Sequence, residues 1–323
     1  MILARSHFLV RRTLQRNGWR IGHLLIAMSL IGIAVLVTSD AWDDLLHIAA
    51  RDEESSQIWL VPIAVVWLAW VRRGRLRYCR PRGFWIGAAI AAFGAGVYLI
   101  GKLFLIELFW HGGAVILAAG CFITATGRDI LRSFFVVFFA LLFLIPVPGR
   151  VRQAIALPLE STAAIVTQRV CELLGMEVDQ SGNLLRIPDS ASGVASTPSD
   201  DLIAPAQTDP GYIDVTVGEA CNGMRLIFAL LLVSFVVAFV TPLRTYVRVL
   251  LAVLSPVLAL ICNVIRLVPT VWIYGHYSRP AADRFHDATG WMMLVVAFVL
   301  LLGIIRLLRW TMLPAMAFNL ALD

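Results

Sequence analysis

The stretch Ile21–Val37 reads IGHLLIAMSLIGIAVLV and carries no aspartate, glutamate, lysine or arginine. An α-helix rises about 1.5 Å per residue, so an apolar run of about 20 residues is what a helix needs to cross a hydrocarbon core about 30 Å thick. Comparable runs recur at about 58–71, 84–101, 111–127, 133–148, 222–241, 247–266 and 290–306, the second and fifth being short. Composition agrees: 59% of the 323 residues are hydrophobic and 15% charged, against roughly 45–50% and 25% in average globular proteins. A membrane β-barrel would instead alternate polarity over segments of about ten residues, a pattern the chain lacks. The sequence therefore predicts an all-α polytopic membrane protein with about eight transmembrane helices. A charged segment precedes the first run, but the run is long and has no clear small-residue cleavage site, so it reads as a retained span rather than a signal peptide.

The net charge of +6 has a definite placement. Arg5, Arg11, Arg12, Arg16 and Arg20 precede the first run, and Arg72, Arg73, Arg75, Arg77, Arg80 and Arg82 follow the second. Arg128 and Arg132 follow the fourth, Arg244 and Arg248 the sixth, and Arg306 and Arg309 the last. Every second loop is basic, the bias that marks cytoplasmic loops. Both termini are thus expected in the cytoplasm, the partner of the basic segments is the lipid bilayer, and a nucleic-acid face is not expected. The same parity makes the acidic stretch with Asp40, Asp43, Asp44, Asp52, Glu53 and Glu54 an external loop, and places Glu107 and His111 in another short external loop. Cys79, Cys121, Cys171, Cys221 and Cys262 show no CxxC and no paired spacing. Neither a disulfide framework nor a metal site is expected, and no cofactor is implied.

Three regions follow: the first five helices (1–148), an extracytoplasmic segment (149–220), and the last three helices with a cytoplasmic tail (221–323). In the middle region Val151, Ile155, Leu159, Val166, Val170 and Leu173 recur at helical spacing opposite Gln153, Glu160, Gln168 and Glu172. This predicts an amphipathic helix over 150–176 on the membrane surface, interrupted or kinked at Pro158. Leu184–Ile187 and Tyr212–Val217 read as short strands, the second because Ile213, Val215 and Val217 alternate with Asp214 and Thr216. Between them, 188–211 is rich in Ser, Ala, Pro and Asp and reads as a mobile loop.

The second strand runs into Gly218-Glu219-Ala220-Cys221-Asn222-Gly223-Met224-Arg225, where the sixth run begins. A helix N-terminus carries partial positive charge and unpaired N–H groups, which lower a thiol's pKa toward the thiolate. A single cysteine in an apolar helix is most often a small buried residue, but two more residues share its membrane face. Arg266, in Cys262-Asn263-Val264-Ile265-Arg266, lies 18 residues, about 27 Å of helix rise, beyond the cytoplasmic Arg248. A charged side chain in such apolar surroundings is costly and usually functional. His286, in Asp283-Arg284-Phe285-His286-Asp287, lies just before the last run and is also external. His111 and His276 are alternatives for the histidine. Thiol, cation and imidazole are what thiol-based acyl transfer requires. Glu219 and Asp214 could orient the histidine or contact a substrate amide, and Arg225, one turn from Cys221, is a supporting residue.

These strings resemble the exosortase/archaeosortase family of membrane-embedded cysteine transpeptidases, over roughly 212–306. The residues that carry the resemblance are Glu219-Ala220-Cys221-Asn222-Gly223-Met224-Arg225, Asn263-Val264-Ile265-Arg266 and His286. Family members commonly have Ser after the cysteine; here it is Asn222. The resemblance implies Cys221 as nucleophile, Arg266 as electrostatic stabiliser and His286 as proton shuttle, with Arg225, Glu219, Asn222 and Asn263 in support. It also implies exported substrate proteins whose C-terminal tail holds a Pro-Glu-Pro-like motif, a transmembrane helix and a basic cluster. Such tails would be cleaved at the periplasmic face of a bacterial inner membrane, in systems that accompany exopolysaccharide export. The rival reading is a non-enzymatic transporter or assembly subunit of polysaccharide export, which should show broken helices and polar groups at the bilayer midplane. A thiol–disulfide oxidoreductase would need paired external cysteines, and only Cys171 and Cys221 are placed outside.

Overall fold

The computed structural model describes residues 19–81, 83, 85–188, 212–216, 223–241, 243–277 and 279–310. The chain divides into two compact units, Met1–Pro148 with Phe239–Thr241, and Gly149–Ala238 with Pro242–Asp323. It is a mostly helical membrane protein. Among the described residues, three helices are long and apolar enough to cross a bilayer, or up to five spans if two bent helix pairs each count as one. Three shorter apolar helices, Gln57–Val71, Leu226–Val240 and Val295–Leu307, add to them.

The first unit contains α1 (Ile21–Val37), α2 (Ser39–Arg51), α3 (Leu60–Val71), α4 (Trp85–Phe104), α5 (Glu107–Thr126), α6 (Arg128–Ser133) and α7 (Phe135–Ala140). Its centre is the α4–α5 pair. Gly87, Gly94 and Gly101 on α4, and Gly113 and Gly120 on α5, recur every seven residues, near two helical turns, and so line one face of each helix. All five are buried. A Cβ on Gly94 would lie 2.5 Å from the Leu117 amide nitrogen, and one on Gly113 would overlap the Tyr98 backbone. The two backbones therefore touch, the close approach that small residues permit between membrane helices. The α4–α5 connection is tight: Leu105 takes a left-handed φ of 56°, and the Ile106 N–H reaches back to the Gly101 carbonyl at 2.9 Å. Leu105 is 89% exposed, so its side chain is not held by the core. Leu105→Gly should stabilise the protein by about 0.5–1 kcal/mol by removing the Cβ strain, read as a rise in thermal midpoint in detergent.

The acidic stretch after the first span is a helix, not a loop. Ala41, Leu45 and Ala49 are buried at i, i+4, i+8 along α2, and two of its carboxylates pair with other helices. Asp40 pairs with Lys102 of α4 at 2.7 Å, and Asp44 with His111 Nε2 of α5 at 2.9 Å. Glu107 and His111 likewise belong to α5 rather than to a loop, and His111 is fully buried. Between α1 and α2 the chain bends by 78° at Thr38. Its buried hydroxyl donates to the Ala34 carbonyl at 2.8 Å and accepts from Trp42 Nε1 at 3.0 Å. The fifth apolar run is also not one continuous helix. It breaks at Phe134 between α6 and α7, then tightens into a 3-10 turn at Leu141–Leu144 before Pro146 and Pro148. Aromatic and β-branched residues dominate Phe134–Phe139 and favour helix weakly.

The second unit contains α8 (Gly149–Leu173), strands β1 (Asp179–Ser181), β2 (Leu184–Pro188) and β3 (Tyr212–Thr216), then α9 (Gly223–Val240), α10 (Thr245–His276) and α11 (Arg279–Trp310). α8 passes through Pro158 without interruption. The Ser161 and Thr162 hydroxyls donate to the Pro158 carbonyl at 3.1 and 2.6 Å. The face of α8 that packs is its small-residue face, Ala156, Ala163, Ala164, Thr167 and Cys171. The bulkier Val151, Ile155, Val166 and Leu173 remain exposed. The sheet is antiparallel in the order β1-β2-β3. β1, which the sequence reading missed, is three residues long and folds back through Gly182-Asn183, where Gly182 takes φ 66°. β2 buries Leu185 and Ile187 against Ala163, Ala164 and Cys171 of α8 and Leu267 and Val271 of α10. The loop expected at 188–211 lies, apart from Pro188, outside the described residues. α9 and α10 are tied by a buried hydrogen bond from Ser255 Oγ to Ser234 Oγ, 2.8 Å.

Candidate functional site

α9 opens at Gly223, two residues after Cys221, and β3 ends at Thr216, five residues before it. Cys221 therefore lies on the short link between a sheet edge and a helix N-terminus. Cys221, Asn222 and Glu219 themselves lie outside the described residues. Arg225 is the third residue of α9, and Asp214 is in β3, where its Cα pairs with that of Arg186.

Arg266 is half-buried on α10. It does not end the helix, as the hydropathy predicts. α10 continues ten residues further to His276, because the backbone ladder outlasts the apolar window that marks the span. Thr270 Oγ1 donates to the Arg266 carbonyl at 2.8 Å. The next residue, Leu267, is fully buried with Val271 under β2, so the sheet packs on the turn of α10 that begins at Arg266. One turn earlier, Asn263 is 6% exposed. It lines a cavity of about 20 Å³ together with Glu160 of α8, Ile227 of α9 and Ala259 of α10. That volume accepts one water-sized group.

Glu160 is the residue the sequence reading assigned to the solvent face. It accepts a hydrogen bond from Asn183 Nδ2 at 3.3 Å, which ties α8 to the β1–β2 turn. The signal that reveals it is the small-residue face of α8. Glu160 is four residues from Ala156 and from Ala164, both buried, so it shares their side of the helix. Three elements and the hairpin turn thus bring a carboxylate and two amides together one turn of α10 below Arg266.

His286 also lies within a helix rather than before one. α11 begins at Arg279, seven residues earlier, since Arg279–Ala288 is polar but still helical. α10 and α11 meet across residues 277–278 and pack against each other. Arg266 stands ten residues before this joint and His286 seven or eight after it, about 15 and 11 Å along their helices. The alternative histidines are otherwise engaged: His111 is paired to Asp44 in the first unit, and His276 Nδ1 lies 2.9 Å from the Trp272 carbonyl with its ring stacked on Trp272.

The cysteines other than Cys221 have the environment of packing residues. Cys79, Cys171 and Cys262 are buried, Cys121 is half-buried, and all four are unpaired. Burial pushes the Cys79 thiol up, only partly opposed by the Ser133 hydroxyl beside it, so little of it is thiolate near neutral pH. Among the described residues no group of three or more His, Cys, Asp or Glu side chains could hold a metal ion.

No curated protein and no solved structure matches the chain. The family model described as transmembrane exosortase (Exosortase_EpsH) matches residues 42–303, from α2 into α11. This takes in well over half of the sequence, including the strings around Cys221, Arg266 and His286. The chain belongs to the transmembrane exosortase family.

Proposed function

We propose that this protein is a cysteine peptidase and transpeptidase that cleaves the C-terminal sorting tails of exported proteins at the outer face of the bacterial inner membrane. The observation that carries the reading is the family match across residues 42–303, which includes the ordered cysteine, arginine and histidine. The half-buried Arg266, one turn along α10 from the small cavity that Glu160 and Asn263 line, supports it. In this mechanism the Cys221 thiolate adds to a peptide carbonyl of the tail and Arg266 stabilises the oxyanion. The C–N bond then breaks as His286 gives a proton to the departing amine, leaving a thioester. A second nucleophile, an amine or water, loses its proton to His286 and releases the product from Cys221. Asn263 and Asn222 support the site through their amides, and Arg225 and Glu219 flank the thiol. The tail would carry the Pro-Glu-Pro-like motif, apolar helix and basic cluster.

Eight crossings with both termini cytoplasmic belong to the same proposal. Three long helices, two bent pairs and three shorter apolar helices fall one for one on the eight apolar runs. The exposed stripe Val151, Ile155, Val166 and Leu173 supports α8 lying against the bilayer surface. Helices of the first unit are broken, as in transporters, but the break after Ser133 adjoins a cavity lined by Phe134, Val137 and Phe138 rather than by polar groups. That disfavours an ion or solute path there.

The test is processing of a tail-bearing substrate co-expressed with the chain. Arg266→Ala should slow cleavage by roughly 10²–10³-fold, the range for losing one oxyanion partner. Arg266→Lys should recover only part of it, since the ammonium lacks the planar fork. Full processing by Arg266→Ala at normal membrane abundance would remove Arg266 from the mechanism.

A further inference from the structure

The first unit has a half-open apolar cavity of about 460 Å³ that the proposed peptidase chemistry does not use. Its walls come from α1 (Ile31), α2 (Trp42), α3 (Val65, Ala69), α5 (Ala118, Ala119) and the broken fifth run (Phe134–Leu144). The cavity exists because Ala69 on α3 and Ala118 and Ala119 on α5 are small facing residues, and because the fifth run breaks into short pieces instead of packing as one helix. A lining so apolar offers water no hydrogen-bond partners. Its volume is about three times the roughly 150 Å³ that takes one benzene ring, so it accommodates an alkyl chain of about 16–18 carbons. A substrate helix, about 10 Å across and 30 Å long, needs several times that space.

One end of the cavity is cationic. Leu76, which lines it, stands between the exposed Arg75 and Arg77. Arg75 Nη1 donates to the Ser133 carbonyl at 3.4 Å, beside the lining residue Phe134, and the exposed Arg132 precedes Ser133. The acid at this end, Asp129, accepts the Arg80 backbone N–H at 3.1 Å, and the arginines outnumber it. The remaining lining, up to Trp42 and Leu144, is apolar.

We propose that this cavity holds one acyl chain of an anionic membrane phospholipid, its phosphate at the Arg75–Arg132 rim, as an integral part of the first unit. The full-length chain is reconstituted in phosphatidylcholine vesicles containing a phosphatidylglycerol with a photo-activatable group on one acyl chain, and labelled peptides are mapped by mass spectrometry. Labelling is expected to concentrate on the segments around Ala118, Ala119 and Phe138. Ala118→Trp should reduce it there at least about tenfold while labelling at the exposed Leu103 and Phe104 is unchanged. Ala119→Leu, a smaller filling, serves if Ala118→Trp lowers the thermal midpoint, and should give a partial loss. Arg75→Gln combined with Arg132→Gln should lower labelling roughly tenfold, from two charges near an anionic headgroup. A phosphatidylcholine analogue should label the original protein only at that reduced level. Equal labelling of cavity and exposed segments, or none lost on filling, would overturn the proposal. Equal labelling by the two lipids would overturn its anionic headgroup.

Discussion

Cys221→Ala should abolish substrate processing, by at least about 10⁴-fold, with the protein still in the membrane at normal amount; removal of a covalent nucleophile has effects of this order or larger. Cys221→Ser should be nearly as poor, because a hydroxyl lacks the thiolate population that a helix N-terminus and neighbouring cations stabilise. The residue lies on the link from β3 to α9, where Thr216 and Gly223 fix its two ends. Unchanged membrane abundance of Cys221→Ala separates the chemical role from a structural one. The four described cysteines provide the control. Cys79→Ala, deep in the first unit and with its thiol held protonated by burial, should leave processing within about twofold. The measurement is the ratio of full-length to cleaved substrate in membranes matched for enzyme abundance.

Gly113→Leu should be the most destabilising change in the first unit. A Cβ at this position would overlap the Tyr98 backbone, which cannot move aside as a flexible side chain can. Relief requires α4 and α5 to separate along the whole run from Gly87 to Gly101, so a cost of about 3 kcal/mol or more is expected, the upper range for overpacking. Folded proteins have a margin of only about 5–15 kcal/mol. The thermal midpoint in detergent should fall steeply and aggregated material rise. Gly96→Leu is the matched control on α4: a Cβ there meets nothing within 4 Å, and the midpoint should hardly move.

The apolar runs made the helical membrane class readable, because nothing but a helix satisfies its own backbone over such lengths. Strand β3 followed from alternation, and β2 was also read as a short strand. Other features needed the third dimension. Hydropathy alone left α2 as an acidic loop, since the partners of Asp40 and Asp44 are Lys102 and His111, more than 60 residues away. Span ends taken from apolar windows placed Arg266 and His286 at helix termini, whereas both helices extend past them into polar sequence. Glu160 read as solvated because the bulky stripe of α8 was assigned to the membrane surface and the opposite face to water. The packed face is the alanine face, and the bulky stripe is exposed. The seven-residue glycine recurrence was present in the sequence and was the most direct available sign of the α4–α5 contact.

The central claim is that substrate is carried as a thioester on Cys221. It is tested most directly by intact and peptide mass spectrometry of wild-type membranes acid-quenched during turnover of substrate, with no amine acceptor added, so that the thioester is caught before its resolution. The expected result is a substrate-derived adduct on the Cys221 peptide that hydroxylamine removes and that Cys221→Ser lacks. An adduct on any other residue, or wild-type cleavage that proceeds with Cys221 alkylated, would contradict it.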